Sequence, residues 1–127
     1  MPLVRIALME GKQPSYLKSI GDAVHKAMVE SISVPEFDRF QIITEHTRDT
    51  LFYDPHYLGI ERSDDIVMIQ IALRGGRTVE MKKALYRRIV ELLRDDPGIR
   101  PEDVLITLVE NDLPDWSFGN GVAQYIS

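Results

Sequence analysis

Cysteine is absent from the 127 residues of this chain. That excludes a disulfide framework, a thiolate zinc site and a thiol nucleophile together, and it fits a reducing compartment. No apolar run reaches membrane-spanning length. The opening stretch from Met1 to Glu10 holds too short an apolar segment, without a small-residue cleavage pattern, for a secretory signal. Blocks of like charge are missing too. The net charge is -5 with acidic and basic residues interspersed, which is not the electrostatic footprint of a nucleic-acid or membrane-surface binder. Gly75-Gly76-Arg77-Thr78 lacks the glycine pattern and lysine of a phosphate loop. His25, His46 and His56 lack partners at ligand spacing and are read as structural or exposed, so no metal site is expected. The expectation is a cytoplasmic protein with a small-molecule or protein partner, no nucleic acid and no membrane.

What is present is one domain's worth of patterned chain, long enough to bury a core without staples. Leu3 to Leu8 reads as a buried strand ended by Glu10-Gly11-Lys12. A helix follows, with Pro14 in its first turn and Leu17, Ile20, Val24, Ala27, Met28 and Ile32 as its apolar stripe, stopped at Val34-Pro35. Phe40 to Thr44 reads as a second strand, and Arg48 to Ser63 as loop or short irregular structure. The plan then repeats: strand Ile66 to Leu73, turn Gly75-Gly76, helix Val79 to Arg94, strand Val104 to Val109. One constant offset carries Leu8 onto Leu73, Gly11 onto Gly76, Lys12 onto Arg77, Asp38 onto Asp103 and Glu45 onto Glu110. The expected fold is α/β (α+β): βαβ units at about 2-45 and 66-110, joined into a four-stranded sheet with both helices on one face. The tail 116-127 reads as a small hairpin around Gly119-Asn120-Gly121. Such a sheet leaves its other apolar face open, and a closed assembly of subunits is the expected cover.

Pro2 opens directly into the first strand. Met-Pro beginnings are common without any catalytic role, but methionine aminopeptidases remove Met before a small residue, and the product here is a buried secondary amine. An α-amino group has a pKa of about 7.7 to 8.0, and desolvation or nearby cations lower it, so such an amine can act as a base near neutrality.

Four features in order, namely Pro2 on a duplicated βαβ frame, Val34-Pro35-Glu36-Phe37-Asp38-Arg39-Phe40-Gln41, the Gly76-Arg77 turn, and Val109-Glu110-Asn111 followed by Asp115-Trp116-Ser117-Phe118-Gly119, resemble the malonate semialdehyde decarboxylase-like branch of the tautomerase superfamily. The resemblance runs essentially end to end. It implies a homotrimer, no cofactor or metal, a small carboxylate substrate and an amino-terminal proline as catalytic acid or base. Arg74 and Arg77, which taken alone read as solvated turn arginines, become by resemblance a carboxylate clamp at the carboxyl end of the third strand. In the decarboxylases one residue separates the two arginines, whereas two intervene here, a departure that bears on decarboxylation rather than on the proline chemistry. Asp38, otherwise a turn or capping residue like Asp103, becomes catalytic, orienting a water or the protonated proline. Trp116, Phe118 and Tyr125, otherwise core aromatics, become an apolar wall around the substrate. Three functions stay open. They are keto-enol tautomerisation with Pro2 as base, decarboxylation or hydration with Pro2 as acid, and a trimeric binding module without chemistry.

Overall fold

The computed structural model describes residues 1–126. Strand β1 (Leu3–Met9), helix α1 (Pro14–Ile32) and strand β2 (Phe40–His46) form the first repeat; β3 (Val67–Arg74), α2 (Val79–Asp95) and β4 (Val104–Asn111) form the second. The sheet order is β2-β1-β3-β4. Within each repeat the strands are parallel, and the repeats join through the antiparallel β1–β3 pair. The duplicated four-stranded architecture expected from the sequence is therefore the one observed.

Local sequence explains the elements. Pro14 sits at the start of α1, where its missing N–H costs nothing. The helix ends as Ser33 turns left-handed at φ 58° and the Val34 N–H bonds back to the Met28 carbonyl, with Pro35 just beyond. Thr78 caps α2 by accepting from the Met81 N–H at 3.2 Å. Alternation sets the strands. Val4, Ile6 and Leu8 of β1 and Val67, Ile69, Ile71 and Leu73 of β3 pack with Ile20, Val24, Met28, Leu85, Ile89 and Leu93 of the helices in one core. The two helices cover that face.

The other face carries Arg5, Ala7, Ile42, Met68, Gln70 and Leu105 around a shallow depression. Ile42 and Leu105 are each 40% exposed. The repeat extends to the turns after β1 and β3, where Gly11 has φ 109° and Gly76 has φ 108°. Side chains other than hydrogen rarely adopt that region.

The tail departs from the expected hairpin. After a short 3-10 turn at Leu113–Asp115, residues 116–126 form turns without strand pairing. The Gln124 side chain takes the groups a ladder would need, accepting from the Phe118 N–H and donating to the Gly119 carbonyl, both at 2.9 Å. Ser127 lies outside the described residues. The 48-63 segment is irregular as expected, with one short turn at Tyr57–Gly59. Arg62 ties it together through the carbonyls of Asp54, Tyr57 and Ile60.

Candidate active site

Because β1 and β3 are antiparallel, the beginning of β1 and the end of β3 lie at the same end of the sheet, with Leu3 opposite Ala72. Leu3 also pairs with Phe40, the first residue of β2. The topology thus gathers Pro2, Asp38 and the pair Arg74 and Arg77 from three distant stretches of chain. Pro2 is buried.

The amino group of Met1 forms an ion pair with Asp38, and the two side chains are only 14% and 17% exposed. Burial, then the charges of Arg77 and Arg74, lower this amine from an ordinary 8.0 to about 6. The Asp38 carboxylate acts in the opposite sense, since a contacting opposite charge favours the charged form. While Met1 is attached, the nitrogen of Pro2 is an amide without basicity. Three backbone bonds separate the two nitrogens, so they lie within roughly 4 Å of each other and share these surroundings.

Arg77 is held by carbonyls. It donates from Nη1 to Arg74 at 2.8 Å and from Nη2 to Ile32, at the end of α1, at 3.4 Å. Burial and the neighbouring Arg74 push its pKa below the ordinary value, with Glu110 opposing. Two buried atoms here have no hydrogen-bond partner among the described residues: Arg77 Nε and Asp38 Oδ1. Such groups are costly to leave unpaired, and an anion bound beside Arg77 would relieve one of them. Arg74 is exposed.

The tail supplies aromatic rings to the same end. Phe118 stacks on Trp116 (centroids 5.4 Å apart, planes at 4°), meets Tyr125 edge-on at 5.1 Å and lies 5.9 Å from Phe40. Trp116 Nε1 donates to Asn111 Oδ1 at 2.8 Å, and Asn111 pairs with Arg74 across β3 and β4. Trp116, Phe118 and Tyr125 are therefore near neighbours. Sequence reasoning gave no individual role to Phe40 or Asn111. Their signal was available in the strand pairing, because Phe40 begins the strand beside Leu3.

Two of the histidines are held by hydrogen bonds, and His56 is exposed. His25 is buried and donates from Nε2 to the Glu36 carbonyl at 2.8 Å, and His46 lies between Thr44 and Thr50. Among the described residues no group of three or more His, Asp or Glu side chains is arranged to hold a metal ion, and no helix is long and apolar enough to cross a membrane.

A cavity of about 500 Å³ lies elsewhere, at the end where β1 and β2 finish, lined by residues including Lys12, His46, Arg48 and Asp64. Its cations are already committed, Lys12 to Asp65 and Arg48 to Asp64. It offers no free anchor for an anion.

Comparison with known proteins gives relatives that match essentially the whole chain. Two family models, each described as a tautomerase enzyme, match residues 38–119 and 2–60. Probable tautomerase YusQ of Bacillus subtilis (strain 168) is 45% identical over 99% of this chain and 99% of its own length. Probable tautomerase YrdN of the same organism is 38% identical over 100% of this chain and 98% of its own. A solved malonate semialdehyde decarboxylase, described in terms of decarboxylase and hydratase activities, superposes with a TM-score of 0.92 at 36% identity, covering 98% of this chain and 95% of that one.

Proposed function

This chain belongs to the tautomerase superfamily, and from that premise we propose that it is a cofactor-independent enzyme whose acid-base group is the nitrogen of Pro2, freed by removal of Met1. One observation carries the reading: the chain's amino end is held against Asp38 in a buried setting under the charges of Arg77 and Arg74. The leading reaction is keto-enol tautomerisation of a small 2-keto acid. Arg74 and Arg77 bind the substrate carboxylate, Arg77 gaining a partner for its buried guanidinium. Neutral Pro2 carries a proton between carbon and oxygen, and the same cations stabilise the enolate as it develops. Trp116, Phe118 and Tyr125, with Phe40, keep that side of the site apolar, which strengthens the electrostatics.

A second reading has its own support. The Asp38 ion pair favours a protonated amine, and a second solved malonate semialdehyde decarboxylase, inhibited by 3-bromopropiolate, is 40% identical with a TM-score of 0.92 over 98% of this chain and 94% of that one. Protonated Pro2 would then polarise the carbonyl of a 3-oxo acid during decarboxylation, or assist hydration of an unsaturated acid, with Asp38 helping. The two readings differ in whether the cations and burial, or Asp38, govern the amine at working pH.

The reading includes a cytoplasmic setting and a homotrimer. The open apolar face with Ile42 and Leu105 half-covered supports association, as a soluble monomer seldom leaves such a sheet face bare.

Intact mass of the native protein tests the premise, followed by assays with phenylpyruvate enol and malonate semialdehyde. A chain lacking Met1, active on either substrate and silenced by Pro2→Ala, is expected. The faster substrate then chooses base or acid. A chain that keeps Met1 and turns over neither would leave a binding module without chemistry.

A further inference from the structure

Asp38 and Asp103 occupy the same place in the two repeats yet are held in opposite ways. Asp103 is fully buried, and its two oxygens accept from the Ser63 N–H and the Ser63 hydroxyl, each at 2.7 Å. The Asp38 carboxylate has no such support. One oxygen meets the chain's amino end, and the other has no partner among the described residues.

Its flanks are fixed instead. Two residues upstream, the Glu36 carbonyl accepts from His25 Nε2 at 2.8 Å. One residue downstream, Arg39 donates to Asp22 at 2.8 Å and to Gln41 Oε1 at 3.1 Å, and Gln41 Nε2 donates to the Gly21 carbonyl at 2.9 Å. The Asp38 N–H itself bonds to the Pro35 carbonyl at 3.0 Å. Gly21, Asp22 and His25 form one stretch of α1, so the chain on both sides of Asp38 is laced to a single helix face.

Three details argue that the lacing is built rather than incidental. A carbonyl only accepts, so His25 must carry its proton on Nε2, and Nδ1 is left buried without a partner among the described residues. A Cβ on Gly21 would lie 2.8 Å from Gln41 Oε1 and 3.2 Å from Arg39 Nη2, so a larger residue there would displace the ends of the two side chains that make these bonds. At the repeat offset, Gly21, His25, Arg39 and Gln41 fall on Tyr86, Val90, Val104 and Ile106, none of which can form these bonds through its side chain in the same way. Only the repeat whose aspartate faces the amine has the device.

We infer that His25 is a positioning residue for Asp38, which with Arg39 and Gln41 fixes the backbone around this aspartate so that its carboxylate faces the amino end with neither oxygen taken up by the fold. The inference deepens the proposed function and rests on it for its catalytic meaning, though its geometric content can be tested alone.

The charged groups facing the amine are Asp38, Arg77 and Arg74. Titration of the amino-terminal nitrogen by NMR on the full chain therefore reads the placement of Asp38. Asp38→Asn should lower the titration midpoint, by removing the one opposite charge. His25→Leu should lower it in the same direction, His25→Gln should restore it by returning an N–H donor, and His25→Leu added to Asp38→Asn should shift it no further. Turnover should follow, with kcat down about ten- to a hundredfold in His25→Leu and KM held, as for a catalytic group displaced by about 1 Å. Arg39→Met tests the other flank and should move the midpoint the same way if His25→Leu does not fold. An unmoved midpoint in a folded His25→Leu, or an equal shift on the Asp38→Asn background, would overturn the inference. Loss of the catalytic reading looks different: no wild-type turnover, or none lost in Pro2→Ala, with the titration pattern intact.

Discussion

At one end of the sheet Asp38, Arg77 and Arg74 surround an amine, and at the repeat-related end Lys12, Asp65 and Asp103 are closed on by their neighbours. The two ends share their turns, even to the φ of Gly11 and Gly76. They differ in what the charges are left to do. Lys12 pairs with Asp65 and Asp103 with Ser63, so that end is satisfied and supports the fold. Around Asp38 and Arg77, buried polar atoms stay without partners. A duplicated scaffold has thus divided its labour: one copy of each charged position stabilises, the other is kept available. The proposed function uses the unsatisfied copy, where a bound substrate would supply the missing partner.

The sharpest way to break this comparison is at the strand starts. Pro2→Ala should lower kcat/KM about a hundredfold or more by replacing the secondary amine. Its repeat equivalent, Val67→Ala, should cost roughly 1–3 kcal/mol of stability and leave the kinetic constants of the folded protein unchanged. Steady-state kinetics and thermal melts on both variants decide it. Next come the aspartates. Asp38→Asn should lower kcat about tenfold or more with little change in Tm, whereas Asp103→Asn should lose about 1–3 kcal/mol by replacing one of the two buried carboxylate acceptors of Ser63 with an amide donor, with normal turnover in the folded fraction.

The cations sharpen the comparison through pH. Burial, Arg77 and Arg74 hold the amino end below its ordinary value, at about 6 for the Met1 amine. A basic amine is protonated, and so inactive, below its pKa, so tautomerase activity should fall as pH drops through the lowered pKa of the Pro2 amine. Arg77→Gln should move the inflection upward and raise KM, with Arg74→Gln doing so less. Lys12→Met, at the repeat-related position, should move neither. The smallest effect belongs to the glycines. Gly76→Ala and Gly11→Ala should each cost about 1 kcal/mol through backbone strain, because no neighbouring atom lies within 4 Å of either added Cβ. Only Gly76→Ala should also change KM, since it sits between Arg74 and Arg77.

Periodicity made the fold legible. The stripe Ile20, Val24, Ala27, Met28, Ile32 is the buried side of α1, and the alternation in β1 and β3 is the core face of the sheet. The edge strands were each read two residues short, because half-exposed β2 and β4 mix polar residues into their ends and run on to His46 and Asn111. The tail misled because Gly119-Asn120-Gly121 carries a turn signal, while the group that decides its pairing, the Gln124 amide, looks like any surface residue. Asp38 and Asp103 show the deeper limit. They are the same residue at the same repeat position, and what separates them is Ser63, 40 residues from Asp103, together with His25, which in sequence is one histidine among charged neighbours.

The amino end lies not on a margin of the sheet but on β1, which is paired on both sides, to β2 and to β3. Chain ends ordinarily fray, and their amides exchange with solvent through small local openings. Here the amides of β1 are freed only when the centre of the sheet is lost, so their exchange should report global unfolding. Asp38, at the entry to edge strand β2, sits in the softer half. Protection against exchange should therefore fall across the site itself, from the amides of β1, as persistent as the whole fold, to those around Asp38, whose order depends on a few hydrogen bonds to α1.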